Sequence, residues 1–159
     1  MTDAGARTSG QGRIDMAGLD YSLGLLLRLS QLKVFQHFFD VMGHTGLKPG
    51  EFSVLWMIRS NPGIRQGHLA QTLAIKNAHM TKLIRSFEAD GLLTRTIPDE
   101  DRRAVELALT DRGIDFVNRH EPDFYRHMET IDSPLSETET RELLRLLAKF
   151  AGVPQGETA

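Results

Sequence analysis

Cysteine is absent from this 159-residue chain. That rules out disulfides, thiol sensing and thiolate metal sites, and fits a reducing, cytoplasmic setting. No apolar run approaches the roughly 20 residues that cross a bilayer. Residues 1–18 are small and polar and lack the apolar stretch of a signal peptide, so no membrane partner is expected. Also missing are a glycine-rich phosphate loop, close-spaced metal ligands and any nucleophile signature. The chain therefore reads as a binding protein rather than an enzyme, with no cofactor and no metal expected. A dominant charge sign is missing too, the net charge being −2. That excludes a uniformly basic surface but not a local one, because charge interactions are screened within about 8–10 Å.

What is present is ordinary for a soluble protein: 40% hydrophobic and 25% charged residues. The length suits one compact domain plus a dimerisation element. Charge is unevenly spread. Residues 65–85 contain Arg65, Lys76, Lys82 and Arg85 and no acid, whereas residues 111–159 carry an excess of acid.

Residues 1–19, rich in Gly, Ser and Thr, read as a flexible arm. Asp20 is the expected N-cap of a helix over 21–43. Its leucines and phenylalanines cover more than one stripe, so it must be covered on most sides; in so short a chain this points to a partner subunit. Residues 43–47 read as a loop. Pro49 suits the first turn of a helix running to Ser60, and Asn61-Pro62-Gly63 stops it. Short and longer helices follow over 66–73 and 77–90. The second has Met80, Leu83, Ile84 and Phe87 on one face and Gly91 as a left-handed C-cap. Strands are predicted over 93–97 and 104–109, around a charged tip at 98–103. Thr110 caps a helix to about residue 130, which Pro122 should kink or split. Ser136 and Glu139 form a capping box before a last amphipathic helix, and residues 152–159 read as a disordered tail.

This order predicts a mainly α fold with a small β wing. A winged helix-turn-helix lobe occupies 48–110, and a helical dimerisation lobe is built from 20–47 and 111–151. A major groove about 12 Å wide accepts one helix. With its apolar face turned inward, the 77–90 helix presents Lys76, Asn77, His79, Thr81, Lys82 and Arg85 outward near its N-terminal half. Asn can read adenine, while Lys and Arg can read guanine or hold phosphate. A basic hairpin beside it can reach phosphate or the minor groove.

Several segments in order carry a family likeness: Leu69-Ala70, Thr81-Lys82-Leu83-Ile84, Phe87 through Arg95, Asp101-Arg102-Arg103, and Leu107 through Gly113. On these the sequence resembles the MarR family of bacterial regulators, over about residues 21–150. The resemblance implies an obligate homodimer whose interface uses the first and last two helices. It also implies a ligand pocket between that interface and the DNA-binding lobe. At the wing it implies that Arg102 and Arg103 contact DNA and that Asp101 braces the tip by orienting an arginine. Small hydroxyl residues commonly open the family's reading helix; here Lys76, Asn77, Ala78 and His79 stand there instead. Lys48 and Gly67 also stand where a cap and a helix former are commoner. These departures bear on which operator is read.

His37, Phe38, Phe52 and Trp56 read either as core or as effector-pocket lining, with Phe116 on an opposite wall; the resemblance favours the pocket. Arg28 and Arg59 read as solvated surface, with pairing to an anionic ligand as the alternative. His37 and His44 are seven residues apart, as are His120 and His127. Seven helical residues span about 10.5 Å, too far for one pair to share an ion, so only ligands from separate helices could converge. The expected function is a ligand-responsive transcriptional repressor on a pseudo-palindromic double-stranded DNA operator, released by a small aromatic or carboxylate effector. The alternative is metal-responsive or constitutive DNA binding without an organic effector.

Overall fold

A computed structural model describes residues 14–99, 101–102 and 104–154. Arg103, most of the N-terminal arm and the last five residues lie outside them.

Helix α1 (Leu23–Met42) follows a 3-10 turn over Leu19–Tyr21. Its cap is Ser22, whose hydroxyl accepts from the Leu25 N–H at 3.4 Å. The Asp20 cap is thereby corrected: Asp20 sits within the 3-10 turn, and Ser22 is the residue with extended backbone at the helix start. A second 3-10 turn (Gly43–Thr45) leads to α2 (Glu51–Ser60). That helix begins after Pro49, because Gly50 takes a left-handed φ of 87° and re-aims the chain.

Next come β1 (Ile64–Arg65), α3 (Gln66–Thr72) and α4 (Asn77–Ala89). Strand β1 was not foreseen, since two residues carry no alternation. The turn between α3 and α4 holds Ala74 at φ 51°. Strands β2 (Leu93–Thr96) and β3 (Glu106–Leu109) complete an antiparallel sheet of order β1-β3-β2. Ile64 faces Leu107, and Leu93 faces Leu109. The third strand starts later than expected because Ala104 and Val105 are engaged elsewhere. The Ala104 N–H donates to the Asp101 carbonyl at 2.9 Å, and the Val105 carbonyl accepts from the Gln66 N–H at 2.8 Å.

Thr110 caps α5 (Asp111–Glu129), accepting from the Gly113 N–H at 3.1 Å and donating to the Gly91 carbonyl at 2.7 Å. Pro122 does not split this helix. Buried Val117 on one side and buried His127 on the other hold both halves against the core. The last helix, α6 (Glu137–Ala151), opens with the expected capping box between Ser136 and Glu139.

The four apolar residues of α4, at i, i+3, i+4 and i+7, are buried together with Met42, Phe52, Leu55, Ile58, Leu69, Leu107 and Val117. One core thus joins the C-terminal end of α1 to the helix-turn-helix, the sheet and α5. Its surroundings differ at the two long ends. Of α1 only Phe38 and Met42 are buried, and α6 buries nothing; Leu23, Leu29, Leu32, Leu144 and Phe150 are all exposed. Among the described residues no helix is long and apolar enough to cross a membrane.

Candidate nucleic-acid interface

The inward apolar stripe of α4 fixes what its other face presents. Lys76, Asn77, His79, Lys82 and Arg85 are exposed, and no acid lies on α4 before Glu88. Thr81 is half-buried, its hydroxyl accepting from Gln66 Nε2 at 3.0 Å. This bond ties the start of α3 to the middle of α4 and fixes their angle. Glu88, near the C-terminal end, pairs with Arg95 of β2 at 2.9 Å, which holds the guanidinium above its usual pKa range. That pair locks the first wing strand to the helix.

Of the wing residues, Arg102 is exposed and Asp101 half-exposed. Asp101 Oδ2 accepts from Arg65 Nη1 at 3.2 Å. The link joins the wing tip to β1, at the mouth of a cleft of about 460 Å³ lined by Gln66, His68, Asn77 and Val105 among others. Arg65 and Gln66 were not singled out by sequence reasoning. The signal available was the acid-free stretch that Arg65 opens; what was missing was the short strand that carries it beside the tip.

Four of the five residues considered as pocket lining are linked through rings: Phe52 lies 5.9 Å from Trp56, Phe124 joins Phe52 to His127, and His127 meets both Phe38 and His37. Phe38 and Phe52 are closed in the core. Trp56 is half-buried against Phe124 and Tyr125, each with ring centroids 5.5 Å away. Phe116 lies against His120 at 4.7 Å. His37 lies 5.3 Å from His127 and shares a 3.2 Å hydrogen bond with the Thr130 hydroxyl. None of the five lines the cleft above, nor a second of about 410 Å³ that His79 and Leu83 share with Phe35 and Pro49.

Arg59 is not the solvated residue expected. It forms a two-pronged pair with Glu121 of α5 at 2.9 and 3.0 Å, donates to Asn118 at 2.7 Å, and lies 4.6 Å over the Trp56 ring. The hydrogen bond that Arg59 donates to Glu121 raises the arginine's pKa, and the same bond lowers that of Glu121. Its charge therefore clamps α2 to α5 and is already matched.

The antiparallel packing of α1 on α5 brings His37 to His127, and His44 (just beyond α1) to His120, with ring centroids 5.3 Å apart in each pair. Burial depresses the pKa of both His120 and His127, reinforced by the facing histidine; for His120, Asp123 opposes the shift. His44, His120 and Asp123 also hold one ligand atom each within 4.8 Å of one another.

The model of the MarR family matches residues 47–105. A protein named for transcriptional regulation of the hcr operon of Thauera aromatica is 31% identical over 85% of this chain and 80% of its own length. The HTH-type transcriptional regulator PecS of Dickeya dadantii is 30% identical over 80% and 78%. Among solved structures, the transcriptional repressor CouR bound to a 23-mer DNA duplex superposes with a TM-score of 0.80 at 33% identity, covering 87% of this chain and 99% of that one. CouR bound to p-coumaroyl-CoA gives 0.77 at 31%, covering 87% and 98%. The chain belongs to the MarR family, a family of winged-helix transcriptional regulators.

Proposed function

We propose that this chain is a cytoplasmic transcriptional repressor, without catalytic activity, that acts as a homodimer on a pseudo-palindromic double-stranded DNA operator. The observation that carries the reading is the exposed face of α4, free of acid ahead of Glu88, with Lys76, Asn77, His79, Lys82 and Arg85 beside the wing. CouR, which carries a DNA duplex in one solved form, supports the same use of the fold here. Two α4 helices enter successive major grooves, about 34–36 Å apart. Arg102 and Arg103 hold the backbone or minor groove beside each, while Asp101 and Arg65 brace the wing. Thr81 contributes mainly by holding Gln66. Residues 20–47 and 111–151 form the dimer lobe, and the exposed apolar faces of α1 and α6 supply its interface. Residues 48–110 form the DNA lobe.

A small aromatic or carboxylate effector binds between the lobes, near His37, Trp56 and Phe116, with Phe38 and Phe52 behind them. The p-coumaroyl-CoA held by CouR supports a ligand of that kind. Such a ligand changes DNA affinity only if it binds the two spacings of α4 unequally. Selection from random duplexes tests the operator reading. The expected product is an inverted repeat with half-sites one turn apart; an asymmetric or unspaced consensus refutes it. Lys82→Ala is expected to relax base preference within each half-site, whereas Arg102→Ala weakens binding to all sequences alike.

A further inference from the structure

We infer that the corner between α1 and α5 is a binding site for a divalent transition metal of the zinc class, with His44, His120 and Asp123 as its protein ligands. The three residues come from two separate elements: His44 from the 3-10 turn after α1, the others from adjacent turns of α5. Their candidate ligand atoms all lie within 4.8 Å of one another. A tetrahedral zinc with bonds of about 2.0–2.1 Å sets its ligand atoms about 3.4 Å apart. His44 Nε2 and Asp123 Oδ2 are already 3.3 Å apart. The other separations are at most 4.8 Å, so closure onto an ion asks for a shift of about 1.4 Å or less.

The surroundings are those of a ligand set. Metal-bound histidines typically give their second ring nitrogen to a backbone carbonyl, and bound carboxylates are themselves hydrogen-bonded. Here His44 Nδ1 lies 3.1 Å from the Val41 carbonyl, which leaves Nε2 for the ion. The other oxygen of Asp123, Oδ1, accepts from Arg126 Nη2 at 2.6 Å, so Oδ2 is the atom left facing His44. The buried Nδ1 of His120 has no hydrogen-bond partner, an orphaned polar atom that a protein normally explains by an ion or water. Two imidazoles and one carboxylate suit zinc, cobalt or nickel rather than calcium or magnesium. Three protein ligands leave a fourth position for water or an anion.

The simpler reading of the same atoms is a surface His44–Asp123 ion pair with His120 packed on Phe116. It predicts no metal affinity. The site stands apart from the DNA interface, so it is measured without DNA, and its failure leaves the operator reading intact.

Chelator-treated full-length protein is titrated with Co²⁺, followed by its visible d–d bands, and the cobalt is then displaced with Zn²⁺. One ion per chain is expected, with the intense bands of a four- or five-coordinate site. Zn²⁺ should also raise the midpoint of thermal unfolding of the wild type by mass action. His44→Ala removes a half-exposed ligand from a turn and should leave the fold intact. It should weaken metal binding by about 100-fold or more and abolish the thermal shift, as should Asp123→Asn. His37→Ala, at the neighbouring pair, should bind as the wild type does. Absence of metal binding in the wild type, or binding that survives His44→Ala unchanged, overturns the site.

Discussion

Gly113→Ala should weaken the joint between the wing and α5, and do so more than a methyl group added at any other described glycine. A Cβ at position 113 would stand 1.9 Å from the Leu92 carbonyl oxygen, 2.9 Å from its carbon and 3.3 Å from Leu109 Cβ. An ordinary carbon–oxygen contact is about 3.4 Å, so the methyl group forces a movement of roughly 1.5 Å. The obstacle is backbone and cannot swing aside. The same Leu92 oxygen accepts from the Thr110 N–H at 3.1 Å, and Thr110 caps α5. Relieving the clash therefore strains that bond and the cap together. Overpacking costs about 1–3 kcal/mol and a lost hydrogen bond about 1 kcal/mol, giving roughly 2–4 kcal/mol in all. For a chain of this size that is a fall in Tm of roughly 4–16 °C. Calorimetric unfolding at one fixed protein concentration reads it, because a dimer's Tm depends on concentration. A Tm within about 2 °C of wild type would show that α5 does not approach Leu92 as described.

Ala74→Gly should act in the opposite sense, since Ala74 holds φ 51° where glycine is at ease; a gain of about 0.5–1 kcal/mol in urea unfolding is expected, and a loss would contradict the strained turn. Arg59→Met removes the Glu121 and Asn118 bonds and the cation over Trp56. For so partly exposed a pair the cost is about 1–2 kcal/mol, falling with added salt, and a salt-independent effect would mean that packing rather than charge holds α2 to α5. Burial and the facing His37 hold the His127 imidazole below its ordinary pKa of about 6.5. The unfolded chain then binds the proton more readily, so stability is flat above pH 6.5, falls as pH drops through 6.5, and levels off below the depressed native value. His127→Phe should make the loss between pH 6.5 and 5 shallower, and an unchanged slope would place the titration elsewhere.

Much of the fold was legible because its pattern is strongly periodic. The i, i+3, i+4, i+7 stripe of α4, the capping box at Ser136 and the Thr110 cap are all local signals, and each holds in three dimensions. What escaped is what local pattern cannot carry. Strand β1 exists only because Ile64 meets Leu107, 43 positions away in sequence. The cap fell to Ser22 because a 3-10 turn, rather than a loop, comes before it. Pro122 leaves α5 undivided because contacts on both sides outweigh the lost hydrogen bond. The same limit applies to the sites. The exposed cationic face of α4 follows from which side of one helix is apolar. The Arg59–Glu121 clamp and the His44–His120–Asp123 cluster each join residues more than 60 positions apart, and neither spacing means anything until α5 lies against α1 and α2. The two seven-residue histidine spacings were visible; that they would align where α1 and the turn after it pack on α5 was not.

The most direct measurement is fluorescence anisotropy of the full-length protein on duplex DNA from upstream of its own gene, across a series of salt concentrations. The expected result is saturable binding to one fragment that weakens steeply with salt. Arg103→Ala should lower affinity on every sequence and reduce the salt slope by about one, and Lys82→Ala should narrow the gap between the operator and unrelated DNA. A folded wild-type protein that binds no upstream fragment even at low salt would contradict DNA recognition by α4 and the wing.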